Sequence, residues 1–386
     1  MRRTLFDQEH ELFREAVQTF AAREVAPHYE RWREQRLIDR TLWLAAGRAE
    51  LLGISVPVEY GGGGVNDFRF NMVLTEELAR VGLGVASSVG IHTDVVAPYL
   101  LELTTDEQKE RWLPGFCTGE IVTAIGMTEP SAGSDLAALR TKARSNGNGG
   151  WVINGSKTFI TNGTSADLTI VAARTGDRPR EITLFGIEAD APGFERGQKL
   201  KKVGQPEADT AELFFRDVEV AQDDILGELH RGFEAMMRRL PQERLHSASA
   251  NVAHAEQALA VTLAYVGERK AFGQSIGRFQ HNRFLLAELV TEVEVTRTYV
   301  DQCIGEFVAG RLAEVDTAKA KWWSAHVQNR VIDACVQLHG GYGYMDEYAV
   351  GRAWSDARVS KIWAGSNEIM KELIGRSLGF GEERSP

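Results

Sequence analysis

Cysteine is scarce: Cys117, Cys303 and Cys335 are the only three among 386 residues, far apart and without a CxxC pair. This argues against a disulfide framework and predicts reduced, buried thiols in a cytoplasm-like compartment. Long apolar runs are missing as well. Nothing approaches the roughly 18 apolar residues of a membrane span, and the opening "MRRTLFDQEHELF" has no apolar core for a signal peptide. A soluble cytoplasmic protein is expected. Positive charge is in deficit, with a net charge of −10, and stretches such as "ERWREQRL" alternate sign as solvated helix faces do. Nucleic acid is therefore disfavoured as a partner. The nine histidines show no HExxH-type spacing, so no metal set is expected. Four glycines in "PVEYGGGGVND" lack both a strand–Gly–helix frame and a following Gly-Lys-Ser/Thr, which predicts a turn and not a phosphate loop. Repeats and low-complexity tracts are also absent.

What is present is a composition of 43% hydrophobic and 25% charged residues, the profile of a folded chain with two or three domains. Residues 1–120 read as helical, with Leu5, Leu12, Phe13, Ala16, Val17 and Phe20 at three-four spacing and a second run over Met72–Ala79. Residues 121–231 change to short β-type runs ("IVTAIGM", "WVING", "KTFIT", "DLTIVAAR", "EITLFGIE", "AELFFRDVEV") separated by turn signals, which predicts an antiparallel β-domain. Residues 232–386 return to long amphipathic helices suited to a four-helix bundle. The expected fold class is α+β, in the order helices, sheet, helices.

Two stretches stand out chemically. "GMTEPSAGSD" (Gly126–Asp135) leaves a strand and packs hydroxyls, small residues and free backbone N–H groups into one turn. Such a turn can bind a polar heterocycle edge or a pyrophosphate, and by spacing alone it serves equally as an ordinary turn. "KIWAGSNEIMKELIGR" (Lys361–Arg376) reads as the end of a strand or loop, a Gly hinge and an amphipathic helix capped by Ser366 or Asn367. Trp363, Ala364 and Gly365 before it form a wall with no acid, base or nucleophile.

The ordered set "EYGGGG", "GMTEPSAGSD", "INGSKTFITNG", "ERKAFGQSIGRFQ", "QLHGGYGY" and "GSNEIM" resembles the acyl-CoA dehydrogenase family over nearly the whole chain. The resemblance implies FAD as cofactor and acyl-CoA as substrate, in fatty acid β-oxidation. Ile125, Met127, Thr128, Gly133 and Ser134 would line the flavin, Thr128 at its pyrimidine edge, and Ser134 would also approach the acyl-CoA. Phe159 would cover one flavin face beside Ile160 and Thr161, with Thr161 near N5. Many relatives carry Trp at the position of Phe159. Taken without the resemblance, Phe159 reads as a core aromatic of the β-domain. Arg269, Gln280, Gln337, Gly340 and Gly341 resemble FAD contacts, several made across a subunit interface, which implies a homodimer or a tetramer built as a dimer of dimers. Ser366, Asn367 and Glu368 would touch FAD, Ala364, Gly365 and Arg244 the substrate, and Trp363 would close the cavity. His339 is expected to be structural.

Many members of the family place a catalytic glutamate where this chain has Ala364. The long-chain and isovaleryl branches instead place the base on an earlier helix, before an arginine, and "RRLPQERLHSAS" has Glu243 before Arg244. In a helix, Met236, Leu240, Glu243, Ser247 and Ala250 share a face. By pattern alone Glu243 serves equally as a surface carboxylate paired with Arg239 or Arg244. Pro241 either begins or kinks the helix. The reaction implied is α,β-dehydrogenation of an acyl thioester, with an electron-transferring flavoprotein as electron acceptor. The alternatives are a same-fold flavin oxidase or monooxygenase, a dehydrogenase of carrier-protein thioesters, and an inactive flavoprotein scaffold.

Overall fold

Apolar periodicity organises the first helical part, in which α1 (Gln8–Phe20), α2 (Tyr29–Gln35), α3 (Arg40–Arg48), α4 (Phe68–Val81), α5 (Leu83–Gly90), α6 (Ala97–Leu103) and α7 (Asp106–Thr118) follow in order. The computed structural model describes residues 2–380. On α1, Val17 is buried and Phe13 and Phe20 pack against the same core. Leu12 and Ala16 were expected on that stripe but are exposed, each one residue (about 100° of helix) away from it. Helix starts follow their capping residues. At α7, Gln108 N donates to Thr105 Oγ1 at 3.3 Å and Thr105 N donates to Gln108 Oε1 at 2.9 Å, a reciprocal capping box. Between α5 and α6, Ile91–Val96 is π-helical, a widened turn of the kind that gathers at functional sites.

The sheet holds β1 (Thr123–Gly126), β2 (Lys142–Ser145), β3 (Trp151–Thr161), β4 (Leu168–Arg174), β5 (Ile182–Glu188), β6 (Phe194–Lys199), β7 (Thr210–Val220) and β8 (Ile225–Leu226). Its order is β6-β7-β3-β2-β4-β5-β8, with β1 beside β4. Most pairs are antiparallel, but β1 runs parallel to β4 and β2 meets β4 in a parallel pair at Lys142 and Arg174. "WVING" and "KTFIT", read as two runs, form the single strand β3. The register to β7 shifts between Ile153 and Gly155 and again between Lys157 and Ile160, so Asn154-Gly155 makes an irregularity within a strand and not a hairpin turn.

The third part contains α8 (Gly232–Glu268), the small hairpin β9 (Lys270–Ala271) and β10 (Gln274–Ser275), then α9 (Gln280–Val308), α10 (Glu314–His339), α11 (Ala349–Ala357) and α12 (Asn367–Ser377). α8 runs without interruption through Pro241. α10 is central and packs against α8, α9, α11 and α12. Leu245, Val252, Leu289, Val300 and Val331 form its shared core with Met72 of α4. A buried charge hub ties the parts together: Glu76 of α4 accepts from Arg3 at 2.7 Å and from Arg297 of α9 at 2.8 Å. Cys117, Cys303 and Cys335 are free and buried. Among the described residues no helix is long and apolar enough to cross a membrane.

Candidate active site

A cleft of about 250 Å³ opens where α5 and the π turn, the ends of β1 and β3, α8 and the turn before α12 converge. Its apolar walls come from Leu83, Ile91 and Val95 on one side and from Leu240 and Ala250 of α8 on another. Among the described lining residues, Glu243 is the one carboxylate.

Glu243 is half-buried: its carboxylate meets the cleft, while protein packs around the rest of the side chain. The phenol of buried Tyr99 donates to Oε1 over a long 3.4 Å. Burial pushes the Glu243 carboxyl up to about 7, against the opposing pull of Arg244. Neither neighbouring arginine pairs with it. Arg239 bonds to Glu102, and Arg244 Nη1 lies 3.2 Å from Glu314 Oε1. The paired surface carboxylate considered from the pattern is thus not what the fold builds.

Trp363, Ala364 and Gly365 line the same cleft. Ala364 has φ +50° and Gly365 φ +85°, so two successive left-handed residues aim this turn. At Gly365 the positive φ favours glycine, and a Cβ there would also displace the flexible end of Met370, whose Cε would lie 2.5 Å away. The ammonium of Lys321, fully buried on α10, donates to the Gly365 carbonyl and pins the turn. Burial pushes that ammonium down to about 7. The preceding segment, Arg358–Lys361, is a short 3₁₀ turn and not a strand. Ser366 caps α12, its Oγ accepting from Ile369 N at 3.3 Å.

Ile125, Met127, Thr128 and Gly133 come to the cleft from β1 and the turn after it, and Phe159, Ile160 and Thr161 from β3. The turn is held from beneath by Lys157, whose Nζ donates to Met127 O at 3.1 Å and to Glu129 Oε1 at 2.8 Å. Glu129 also accepts from Thr141 N at 2.9 Å. Lys157 and Glu129 escaped sequence reading. Lys157 follows a run of strand residues, and only the buried pairing reveals its part. Phe159 is 68% exposed although Thr158 and Ile160 are buried, and it has φ +60° at the second register shift of β3. It is therefore not a core aromatic of the sheet. An aromatic turned outward in a strained conformation beside a cleft fits a flat ring laid against it. Gly133 faces open space, and the buried Trp363 Nε1 has no partner. These residues fit the isoalloxazine of FAD.

Other expected site residues do not line this cleft. Ser134 is exposed in the turn next to Gly133, while Ser366, Asn367 and Glu368 sit at the start of α12, Asn367 buried with Oδ1 unpartnered. Arg244 is buried against Glu314. Arg269, Gln280, Gln337, Gly340 and Gly341 are all exposed, on or beside the segments that flank the β9–β10 hairpin and the end of α10. Arg269 lies over the ring of Tyr342 at 5.7 Å. His339 stacks on Tyr265 with ring centroids 4.1 Å apart, a packed structural position. His246, not singled out from the sequence, borders the cleft one turn beyond Glu243.

Comparison with known proteins places the chain. Residues 7–120 match the acyl-CoA dehydrogenase N-terminal domain, 124–218 the middle domain and 230–379 the C-terminal domain. The mitochondrial long-chain specific acyl-CoA dehydrogenase of Rattus norvegicus is 43% identical over 97% of this chain and 88% of its own length. The crystal structure of an acyl-CoA dehydrogenase from Geobacillus kaustophilus superposes with a TM-score of 0.95 at 44% identity, covering 97% of this chain and 98% of that one. A glutaryl-CoA dehydrogenase from Mycobacterium smegmatis, solved in complex with FADH2, reaches a TM-score of 0.92 at 25% identity over 98% of this chain and 97% of its own. The chain belongs to the acyl-CoA dehydrogenase family.

Proposed function

We propose that Glu243 is the base with which this chain, an FAD-dependent acyl-CoA dehydrogenase, converts an acyl-CoA to the trans-2-enoyl-CoA. The observation that carries the assignment is the position of Glu243 as the one carboxylate among the described residues of the cleft, raised to about 7 by burial. The α-C–H of a thioester is a weak acid, and a carboxylate stripped of water is a stronger base for it. On taking the proton Glu243 becomes a neutral acid, the form its surroundings favour. The backbone N–H of Ala364 serves the thioester carbonyl, where negative charge develops as the proton leaves. Gly365, Ser134 and Arg244 support the acyl-CoA around it, and Trp363 closes the cavity.

FAD, when bound, supplies the acceptor for the β-hydride. Ile125 of β1 and Met127, Thr128, Gly133 and Ser134 of the turn after it hold it, with Phe159, Ile160 and Thr161 along β3. Ser366, Asn367 and Glu368 contact it at the start of α12. Arg269, Gln280, Gln337, Gly340 and Gly341 contact FAD, Arg269 and several of the others that of a neighbouring copy, which makes the enzyme a dimer or a dimer of dimers. Phe272 and Tyr344 beside them are 95% and 82% exposed, an apolar surface that a second copy would cover. The electron acceptor is an electron-transferring flavoprotein. Three buried free thiols support a reducing compartment such as the cytoplasm.

The test is anaerobic mixing of the FAD-loaded protein with a series of acyl-CoAs, followed by exposure to oxygen or to an electron-transferring flavoprotein. Flavin bleaching by acyl-CoA and reoxidation by the flavoprotein alone are expected. Rapid reoxidation by oxygen would mark an oxidase, and no bleaching an inactive scaffold.

A further inference from the structure

His246 follows Glu243 by three residues on α8 and borders the same cleft, in a wall that is otherwise largely apolar. Its ring is held from two sides. Asp94 of the π turn lies with Oδ2 2.6 Å from Nδ1, and Thr75 Oγ1 is 3.1 Å from the same nitrogen. Asp94 is 1% exposed and is itself anchored: Asn71 Nδ2 donates to it at 2.7 Å, Thr93 Oγ1 at 3.0 Å and Thr75 Oγ1 at 3.1 Å. At Cε1, between its two nitrogens, the imidazole presses on Gly90, where a Cβ would stand 2.0 Å from Cε1 and 2.4 Å from Nε2. The glycine is what makes room for the ring.

This arrangement leaves one ring nitrogen uncommitted. Nε2 has no hydrogen-bond partner among the described residues and is not among the fully enclosed polar atoms, while the residue as a whole is only 9% exposed. Ser247, the next residue, also lines the cleft, and its buried Oγ is unpartnered. A saturated acyl chain lying here would strip water from Nε2 and give nothing back, and a buried polar group left unmatched is costly. A hydroxyl on the chain would satisfy Nε2 in either protonation state, because it both donates and accepts.

We propose that the Asp94–His246 pair is a specificity element that selects acyl-CoA substrates carrying a hydroxyl on the acyl chain beyond the β-carbon over their unsubstituted counterparts. The hydroxyl stands clear of the two carbons that lose hydrogen, so the reaction is unchanged. The assignment rests on the acyl-CoA dehydrogenase reading above and adds to it the chemical class of the acyl group.

The experiment compares FAD-loaded wild type, His246→Leu and Asp94→Asn with matched acyl-CoAs of each chain length: unsubstituted, terminally hydroxylated and terminally carboxylated. Anaerobic flavin bleaching gives kcat/KM for each. The wild type is expected to favour the hydroxylated member by about tenfold or more, the scale on which an enzyme rejects a ligand that leaves its polar groups unpaired. In His246→Leu that ratio should fall to one or invert, and in Asp94→Asn it should shrink. A wild-type ratio near one, or a ratio unchanged in His246→Leu, overturns the proposal. An equal loss with every substrate marks a purely structural strut and also overturns it, as does a carboxylated substrate outranking the hydroxylated one. Equilibrium binding of the same series to Glu243→Gln, followed by the flavin absorbance change, reads the preference without turnover. Failure of all bleaching would therefore count against the dehydrogenase reading, while this binding ratio still decides the role of the dyad.

Discussion

Glu243 and Ala364 line one cleft, although they come from the first long helix and from the last turn of the C-terminal helical part. Two backbone positions thus face a single reaction space, and the carboxylate occupies only one of them. Ala364 already has a left-handed φ of +50°, so a glutamate there needs no backbone change. Ala364→Glu placed in a Glu243→Ala enzyme is expected to restore flavin reduction to about tenfold or more above the single variant, yet below wild type. Stopped-flow bleaching with one acyl-CoA checks it, and no recovery would contradict the shared geometry.

The pH profile follows from the same carboxyl. With its pKa at about 7, Glu243 is mostly protonated in mild acid and gains its basic form as pH rises. For the reduction of flavin, kcat/KM should therefore climb from about pH 5 to about pH 8 with a limb near 7 and level off above it. A solvated glutamate would give a flat profile over the upper part of that range. Rates at low substrate, measured anaerobically, distinguish the two.

A second titration lies outside the cleft and bears on stability. Arg33 Nη1 is 3.6 Å from Asp356 Oδ2 and 3.8 Å from Glu207 Oε2, so a single guanidinium faces two buried carboxylates. Burial first, and then the Glu207 carboxylate, raise Asp356 well above the usual carboxylate range, to about 7. The folded protein keeps a proton that the unfolded chain gives up near pH 4, so this site costs stability as pH rises from about 4 to about 7. Asp356→Asn removes the titration and leaves an oxygen for the Gln205 N–H. Its Tm relative to wild type should rise across that window, and a difference independent of pH would contradict the assignment.

How much of this was legible depended on how local each signal is. Val17 and the run over Met72–Ala79 announce helices because neighbours three and four apart share a face. Glu243 is legible through the resemblance to the branches that place their base before an arginine, because by pattern alone a carboxylate paired on the surface serves equally. The cap of α12 was narrowed to Ser366 or Asn367, and the Ile369 N–H selects Ser366. Strand β6, "FERGQK", alternates too little to read, because it lies at the edge of the sheet and is largely solvated. The outward Phe159 depends on an irregularity of β3 that Asn154-Gly155 and Lys157–Ile160 do not advertise. Asp94 and His246, like Glu129 and Lys157, meet only through the fold, so no spacing in the chain marks them. The group around Arg269 does not line the cleft within one copy, so the fold of a single chain does not show what these residues contact.

The central claim is that Glu243 is the base, and one variant tests it most directly. Glu243→Gln keeps the size of the side chain and its contact with Tyr99 but cannot take a proton. Loaded with FAD and mixed anaerobically with an acyl-CoA that bleaches the wild type, it should show a normal bound-flavin spectrum and reduction slowed by about 10²–10⁴-fold, the range of a lost general base. Bleaching at the wild-type rate would contradict the account.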